Sequence, residues 1–518
     1  MRDILARWPL APFLAGLNLF IPYAAGNIAQ LEPYEIGVVA AVVLGFVLAL
    51  TLLLRRVVGS WPRAAMCGTT VLYVLFMLPP AIAKPGEAGV LGWLVMLSAI
   101  GLTGFFIVQS RRSGSDYRLA NIVVNSLLIG LLVVPTMAIA QFYYGALGSR
   151  PAPNALFPDI PSTGKAADGP DIWHFVFDRY AGAETLRDVY GYDNEPFLAA
   201  LRSRGFSVSD AAAANYQRTA HSLASTLNFD FLDVFAAQDA MMQDDLLPLY
   251  RSIRNNRVTR FLQAQDYRLI HFGPWWEPTR RSDLADTHVN YLDMPDFLRL
   301  TLERSIVSHV AAATGMMPGD GRNDQCRRVQ FQFDALEQLA REDKVSGRKQ
   351  VFAHLLLPHP PFIVKADGAC KSLAEARALS RVENYVAQVT YANQRILALL
   401  DEIAASGRPA VVIVQADEGP WPEALAGDEA SLGLDTSNAD WATASDKQLH
   451  EKMFILLAVK GIAPGDLPLD PRATPVNLYR QIFARYFGSA LPLLPDRSFL
   501  FKDRSHPYQF IDVTDRLH

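Results

Sequence analysis

Five apolar runs, at roughly 10–28, 36–54, 66–83, 89–108 and 119–142, dominate the first 150 residues. Each approaches the ~20 residues that a helix needs to cross the hydrocarbon of a bilayer. Nothing comparable follows Ala152, where the pattern changes to short apolar strands that end in polar residues and turns. "DIWHFVFDRYAG" reads as a strand over Ile172 to Phe177, ended by Asp178 and a turn at Gly182, and "VFAHLLLPHPPF" and "AVVIVQADEGP" repeat that arrangement. Helical stretches such as 380–406 separate these strands, which predicts a mostly parallel sheet whose ligands gather outside the carboxyl ends of the strands. The predicted organisation is a five-helix transmembrane bundle over 1–144, a linker over 145–170 and an α/β domain over 171–518. The linker is rich in Pro, Gly and Ala and carries neither structural period, so it reads as an extended connector.

Charge orients the bundle. Arg2 and Arg7 precede the first run, Arg55, Arg56 and Arg63 follow the second, and Arg111, Arg112 and Arg118 follow the fourth, whereas "QLEPYEI" and "AKPGEAG" carry little positive charge. The positive-inside rule places the N-terminus in the cytoplasm and, after five crossings, everything beyond about Gly145 outside it. The first run is long and four more spans follow, which argues against a cleaved signal peptide. Ionisable groups are absent inside the spans, so the bundle reads as an anchor, or as a groove for an outer-leaflet lipid, in preference to a transport path. A net charge of −4 without a basic, aromatic-interleaved stripe makes nucleic acid a poor partner. Neither a phosphate-binding Gly-Lys-Ser/Thr loop nor a dinucleotide fingerprint is present. Of three cysteines, Cys67 lies in the third run, and Cys326 and Cys370 are the only pair that an oxidising compartment would join.

Asp178, His359, Asp417 and Glu418 all follow strands and are expected to converge. Asp417 and Glu418 are adjacent like charges that oppose each other's ionisation unless a cation lies nearby. They either bind a metal, or cap a turn and pair with Arg179. In "NYQRTAHSLASTLNFDFL", Thr219 stands near the first turn of a helix, where its hydroxyl is either an N-cap or a nucleophile beside backbone N–H groups that hold phosphate oxygens. His221, two residues on, would point away from Thr219 on a regular helix. His354 and His359 flank "LLLP", and the irregular "PHPPF" makes His359 the one expected in the cleft, where it stabilises phosphate oxygens, protonates a leaving alcohol or is structural. His450 reads as a surface residue, and Trp275 and Trp276 as core cover or as a rim for sugar or lipid.

"DIWHFVFDRYAG", "YGYDNEPFLAALRSRGF", "NYQRTAHSLAST", "HLLLPHPPF", "QADEGP" and "TPVNLYRQIFARYFG" together resemble the sulfatase-like branch of the alkaline phosphatase superfamily, in the bacterial membrane-anchored form related to phosphoethanolamine and phosphoglycerol transferases. The resemblance covers roughly 170 to the C-terminus. It implies an inner-membrane protein with an extracytoplasmic domain that moves a substituted phosphate from a phospholipid donor to an envelope glycan or glycolipid. It also implies that Thr219 is nucleophile and metal ligand, that Asp178 and Asp417 are further ligands, and that His359 lies near the transferred group, with His221 and Arg179 as weaker substrate contacts. Glu418 stands where the family has histidine. The expected set of Asp178, Thr219, Asp417 and Glu418 is therefore all-oxygen and suits one divalent ion, magnesium or manganese before calcium or zinc. A phosphoester hydrolase on the same site, and an inactive relative that binds an envelope-assembly partner, are the alternatives. The Cys/Ser-x-Pro-x-Arg segment that sulfatases mature is missing.

Overall fold

The computed structural model describes residues 2–82, 88–146, 151–160, 169–236, 245–314, 322–342, 347–422, 441–501, 503 and 505–517. They pack as two units, one of 1–150 with 294–321 and one of 151–293 with 322–518. Parts of the expected linker, 147–150 and 161–168, lie outside the described residues. Its middle is not a free tether, because Phe157 and Leu156 are buried in the second unit and Arg260 donates to the Phe157 carbonyl.

In the first unit the apolar runs form helices α1 (Leu10–Gly26), α2 (Pro33–Val58), α3 (Trp61–Ile82), α4 (Val90–Arg112) and α5 (Arg118–Ala146). The last four are long and apolar enough to cross a membrane, and α1, at 17 residues, is shorter. Helix α2 shows how local sequence sets the ends. Pro33 occupies its first turn, Glu32 and Glu35 form a reciprocal capping box, and Gly59 closes it at φ +78°, a left-handed conformation that costs glycine least. Arg55 and Arg56 lie in the last turn, where they complement the helix dipole. Helix α3 passes through a π-helical turn at Tyr73–Met77 just before Pro79 and Pro80.

Polar side chains join the helices where lipid offers no partner. Asn18 donates to the Leu128 carbonyl, Asn125 to that of Leu5, and Asn121 to those of Ala6 and Trp8. Arg63 donates to the Ser115 carbonyl, so the two arginine-bearing loops share one end of the bundle, and Tyr143 donates to the Leu31 carbonyl at the other. Two short helices from the middle of the chain, Asp296–Glu303 and Ile306–Thr314, belong to this unit as well, with Phe297 and Leu298 in the same apolar cluster as Phe20, Ala24 and Leu31.

The second unit is built on seven strands, β1 (Asp171–Phe177), β2 (Ser207–Val208), β3 (Arg268–Phe272), β4 (Thr287–Val289), β5 (Lys349–Leu355), β6 (Ala410–Ala416) and β7 (Leu457–Lys460), in the order β2-β7-β6-β1-β5-β3-β4. Strands β4, β3, β5, β1 and β6 are mutually parallel; β7 adds antiparallel to β6, and β2 pairs antiparallel with β7 at the edge. The central strands are buried along almost their whole length, which is why they read as continuous apolar runs. Strands β8 (Phe499–Phe501) and β9 (Phe510–Asp512) form a separate hairpin. Cys326 and Cys370 are joined in a disulfide, with their Cα atoms 5.7 Å apart.

If the arginine loops are cytoplasmic, a cysteine introduced at exposed Leu493 of the second unit reacts with a membrane-impermeant maleimide in intact cells. One at Ser115 reacts only after permeabilisation. The opposite pattern would overturn the orientation.

Candidate active site

Register brings the site together. In β1 Val176 pairs with His354 of β5, and Phe177 pairs with Leu355 of β5 and Ala416 of β6, so Asp178 and Asp417 leave adjacent parallel strands at the same level. The ladder continues one step, with the Asp178 N–H donating to the Leu355 carbonyl at 3.0 Å. Among the described residues, Asp178, His354 and Asp417 each offer a ligand atom within 4.8 Å of the others, and all three are buried.

Thr219 reaches this cluster from helix α6 (Thr219–Asn228). The N-cap position belongs to Arg218, in extended backbone, and makes no side-chain cap. Thr219 is the first helical residue, and its hydroxyl lies beside Asp417, whose charged form it favours. The N-cap reading of Thr219 therefore gives way to one in which the hydroxyl faces the carboxylates, beside first-turn N–H groups that have no partner within the helix.

Glu418 makes the pair with Arg179 that stood as the alternative to metal binding. Its Oε1 accepts from Arg179 Nε at 3.0 Å and Lys452 Nζ at 2.8 Å, so two protein cations bracket one oxygen. Lys452 lies near the end of helix α8 (Asp446–Met453) and also donates to the Gly419 carbonyl at 3.1 Å. Trp421 closes the group, with the Arg218 guanidinium 4.7 Å, Lys452 Nζ 4.9 Å and the Arg179 guanidinium 5.6 Å from its ring centre.

Arg179 has φ +62°, a left-handed conformation that costs a branched-chain-free residue other than glycine ~1–3 kcal/mol. Three hydrogen bonds hold it there: its N–H to Asp417 Oδ1 at 3.0 Å, its carbonyl from the Tyr385 hydroxyl of helix α7 (Arg381–Ala405) at 2.7 Å, and its side chain to Glu418. The twist sends the chain from Asp178 back towards β6, so the guanidinium meets Glu418 while lying only 4.0 Å from Asp178 Oδ1.

Burial raises the Asp178 carboxyl well above the usual range, and the charge of Asp417 raises it further against the pull of Arg179. Asp417 is pushed up to about 7, by burial first and by Glu418 second, with the Thr219 hydroxyl and two backbone N–H groups partly offsetting this. Burial lowers Lys452 to about 8 although Glu418 pulls the other way. Asp178 Oδ1, Asp417 Oδ2, Glu418 Oε2 and His354 Nε2 are buried atoms without a hydrogen-bond partner. Asp178, Asp417 and His354 also offer ligand atoms close together, and a cation or bound ligand would account for their unpartnered atoms.

Of the two other predicted histidines, His221 falls elsewhere, whereas His359 stays close enough to Arg179, Lys452 and His354 for their charges to act on it. His221 packs on Phe501 with ring centres 4.6 Å apart, and its Nε2 meets the Pro507 carbonyl at 2.8 Å; helical geometry turns it into the aromatic core around the β8–β9 hairpin. His359 is partly exposed and its Nδ1 contacts the Pro360 carbonyl. Burial and then the charge of Arg179 keep its imidazole well below its usual pKa. The histidine in the carboxylate cluster is instead His354, held through Nδ1 by the Thr279 hydroxyl at 2.8 Å. Sequence reading also passed over Lys452, although an acidic pair at a strand end calls for a cation and this lysine directly precedes the apolar β7 segment.

No family model and no curated protein matches the chain. Solved structures similar to it include the C-terminal periplasmic domain of EcEptC from Escherichia coli, at 11% identity over 68% of this chain and 96% of that one, with a TM-score of 0.44. Lipooligosaccharide phosphoethanolamine transferase A (EptA) from Neisseria meningitidis, an integral membrane protein, matches at 12% identity over 93% and 96%, with a TM-score of 0.40. The putative sulfatase yidJ from Bacteroides fragilis matches at 12% over 66% and 83%, with a TM-score of 0.37.

Glu418→Gln leaves Arg179 and Lys452 buried against each other, and is expected to destabilise the fold by about 3–5 kcal/mol, read as a lowered thermal transition of the full chain in detergent. Because Asp417 titrates near 7 when folded and near 4 when unfolded, the folded chain binds the extra proton between those values. Its contribution is full below about pH 4 and is lost as pH rises through about 7. In chelator, melting temperature therefore falls across that window, and Asp417→Asn flattens the fall; an unchanged slope would contradict the assignment.

Proposed function

We propose that the chain is a membrane-anchored, divalent-cation-dependent enzyme that transfers a substituted phosphate group through Thr219. The observation that carries this reading is a cluster of buried, unpartnered atoms from Asp178, Asp417 and His354 with the Thr219 hydroxyl beside Asp417. Two carboxylates and an imidazole fit a divalent ion, and the nitrogen ligand moves the preference from magnesium towards zinc or manganese. When bound, such an ion lowers the pKa of a neighbouring hydroxyl and offsets phosphate charge.

The residues themselves divide the remaining work. Asp417 accepts the Thr219 hydroxyl and orients its oxygen. The first turn of α6 presents N–H groups to phosphate oxygens, and Arg218 and Arg179 supply positive charge beside them. In the first step a Thr219 Oγ1–P bond forms while the bond from phosphorus to the leaving alcohol breaks, and the threonine proton passes to that alcohol. In the second an acceptor hydroxyl attacks phosphorus, the Oγ1–P bond breaks and the threonine regains a proton. A phospholipid donor and an envelope glycan or glycolipid acceptor suit the membrane anchor; water as acceptor makes the same site a hydrolase.

A second reading draws on Glu418. Its oxygen is bracketed by two protein cations, as in a charge cluster that needs no exogenous ion, which favours an inactive relative acting by binding. One experiment separates the two. Purified protein incubated with phospholipid vesicles is expected to carry a phosphate ester on Thr219 by intact-mass and fragment spectra, lost in Thr219→Ala, and to hold about one divalent ion per chain. Asp417→Asn and His354→Ala each lower occupancy by about 10-fold or more. Metal-free protein with full cellular function of Thr219→Ala would sink the transferase reading.

A further inference from the structure

The chain leaves the α/β unit after Asp293 and contributes 294–321 to the unit that holds the apolar helices. Within that excursion the Asp296–Glu303 helix turns Phe297, Leu298 and Thr301 inward. Phe297 stacks on Tyr23 with ring centres 5.8 Å apart and planes 9° from parallel, and the Arg304 guanidinium lies 5.4 Å from the same ring. Tyr23 is near the C-terminal end of α1, and exposed Tyr34 and Tyr144 stand at the matching ends of α2 and α5. Tyrosines at one level of several spans mark a membrane–water interface. The opposite end of the bundle carries the arginine loops, so this is the outer interface.

The polar side of the first helix is neutralised within itself, since Arg299 pairs with both Asp296 and Glu303. The Ile306–Thr314 helix that follows buries Ile306 and His309 yet leaves Val307 65% and Val310 44% exposed. It packs near the π-helical turn of α3, and its open side continues the apolar outer surface of the spans there, where Phe46 of α2, in ring contact with Phe76 of that turn, is similarly uncovered. An amphipathic pair with paired charges on one side and valines on the other has the composition of an element lying in an interface.

We propose that the Asp296–Glu303 and Ile306–Thr314 helices form an interfacial hairpin seated in the outer leaflet, with Val307 and Val310 against lipid acyl chains. The occupant of this face is lipid because the face is continuous with the lipid-facing surface of the spans and ends at their tyrosine level. The hairpin is thus a second membrane attachment, inserted in the chain between β4 and β5 and independent of whether the carboxylate site is active.

The test uses the full chain in phosphatidylcholine–phosphatidylglycerol vesicles, with Cys67→Ala removing the free thiol and the disulfide left intact. Nitroxide labels at Val307→Cys and, separately, Val310→Cys are expected to show an oxygen-to-nickel-chelate accessibility ratio several-fold above that of a label at Leu493→Cys, an exposed apolar position of the α/β unit. All three sites are exposed, so the substitutions leave the core intact. A ratio equal to that at Leu493 would mean that the helices stand in water, and exclusion of both reagents would mean that protein covers them. Either result overturns the proposal.

Discussion

Carboxylates buried at the ends of parallel strands must find positive charge or hold their protons, and this requirement organises the α/β unit. At the N-terminal ends of β1 and β5, and just before β6, it is met in full. Asp171 accepts from the Lys349 N–H and ammonium and from two guanidinium nitrogens of Arg408, so both its oxygens are occupied. At the C-terminal ends of the same three strands the compensation stops halfway. Glu418 takes Arg179 and Lys452, while Asp178 and Asp417 each keep a buried oxygen without a partner. One end of the strand group is a closed structural charge cluster. The other is an incomplete one, which is the condition for binding something from outside.

The Arg179–Glu418 pair does more than neutralise charge. With Tyr385 it holds Arg179 in its left-handed turn, and that turn directs the Arg179 N–H at Asp417 Oδ1, leaving Oδ2 open. Thr219 lies beside Asp417 in the first turn of α6, so a hydroxyl, a carboxylate and helix N–H groups without intrahelical partners are brought close together. Glu418 is answered by a lysine on α8, and an imidazole from β5 lies with the other two carboxylates.

The excursion at 294–321 bears on the other half of the molecule. A tether of one linker leaves a domain free to sample many positions over a bilayer, and each further crossing between units shortens the loop that must close. Here the chain passes between units after Arg150, after Asp293 and after Gly321.

What the sequence determined by itself was local and periodic. Apolar length predicted helices α1 to α5, and apolar runs ending in Asp178, His359 and Asp417 predicted strands whose ends converge, because period and burial are written directly into neighbouring residues. Thr219 at a helix start was legible for the same reason. What only the tertiary structure decided was partnership. His354, inside a strand and outwardly a core residue, meets Asp178 and Asp417 because the β1–β5 register sets it opposite Val176, and no pattern around residue 354 encodes that pairing. Lys452 meets Glu418 from 34 positions further along the chain, and His221 turns away because a regular helix carries it about 200° from Thr219. The 294–314 helices looked like part of the α/β domain, since their sequence carries too few apolar residues to span a bilayer; their place beside Tyr23 follows from side-chain packing alone. Contacts between residues distant in the chain depend on register and packing, and these are properties of the folded whole.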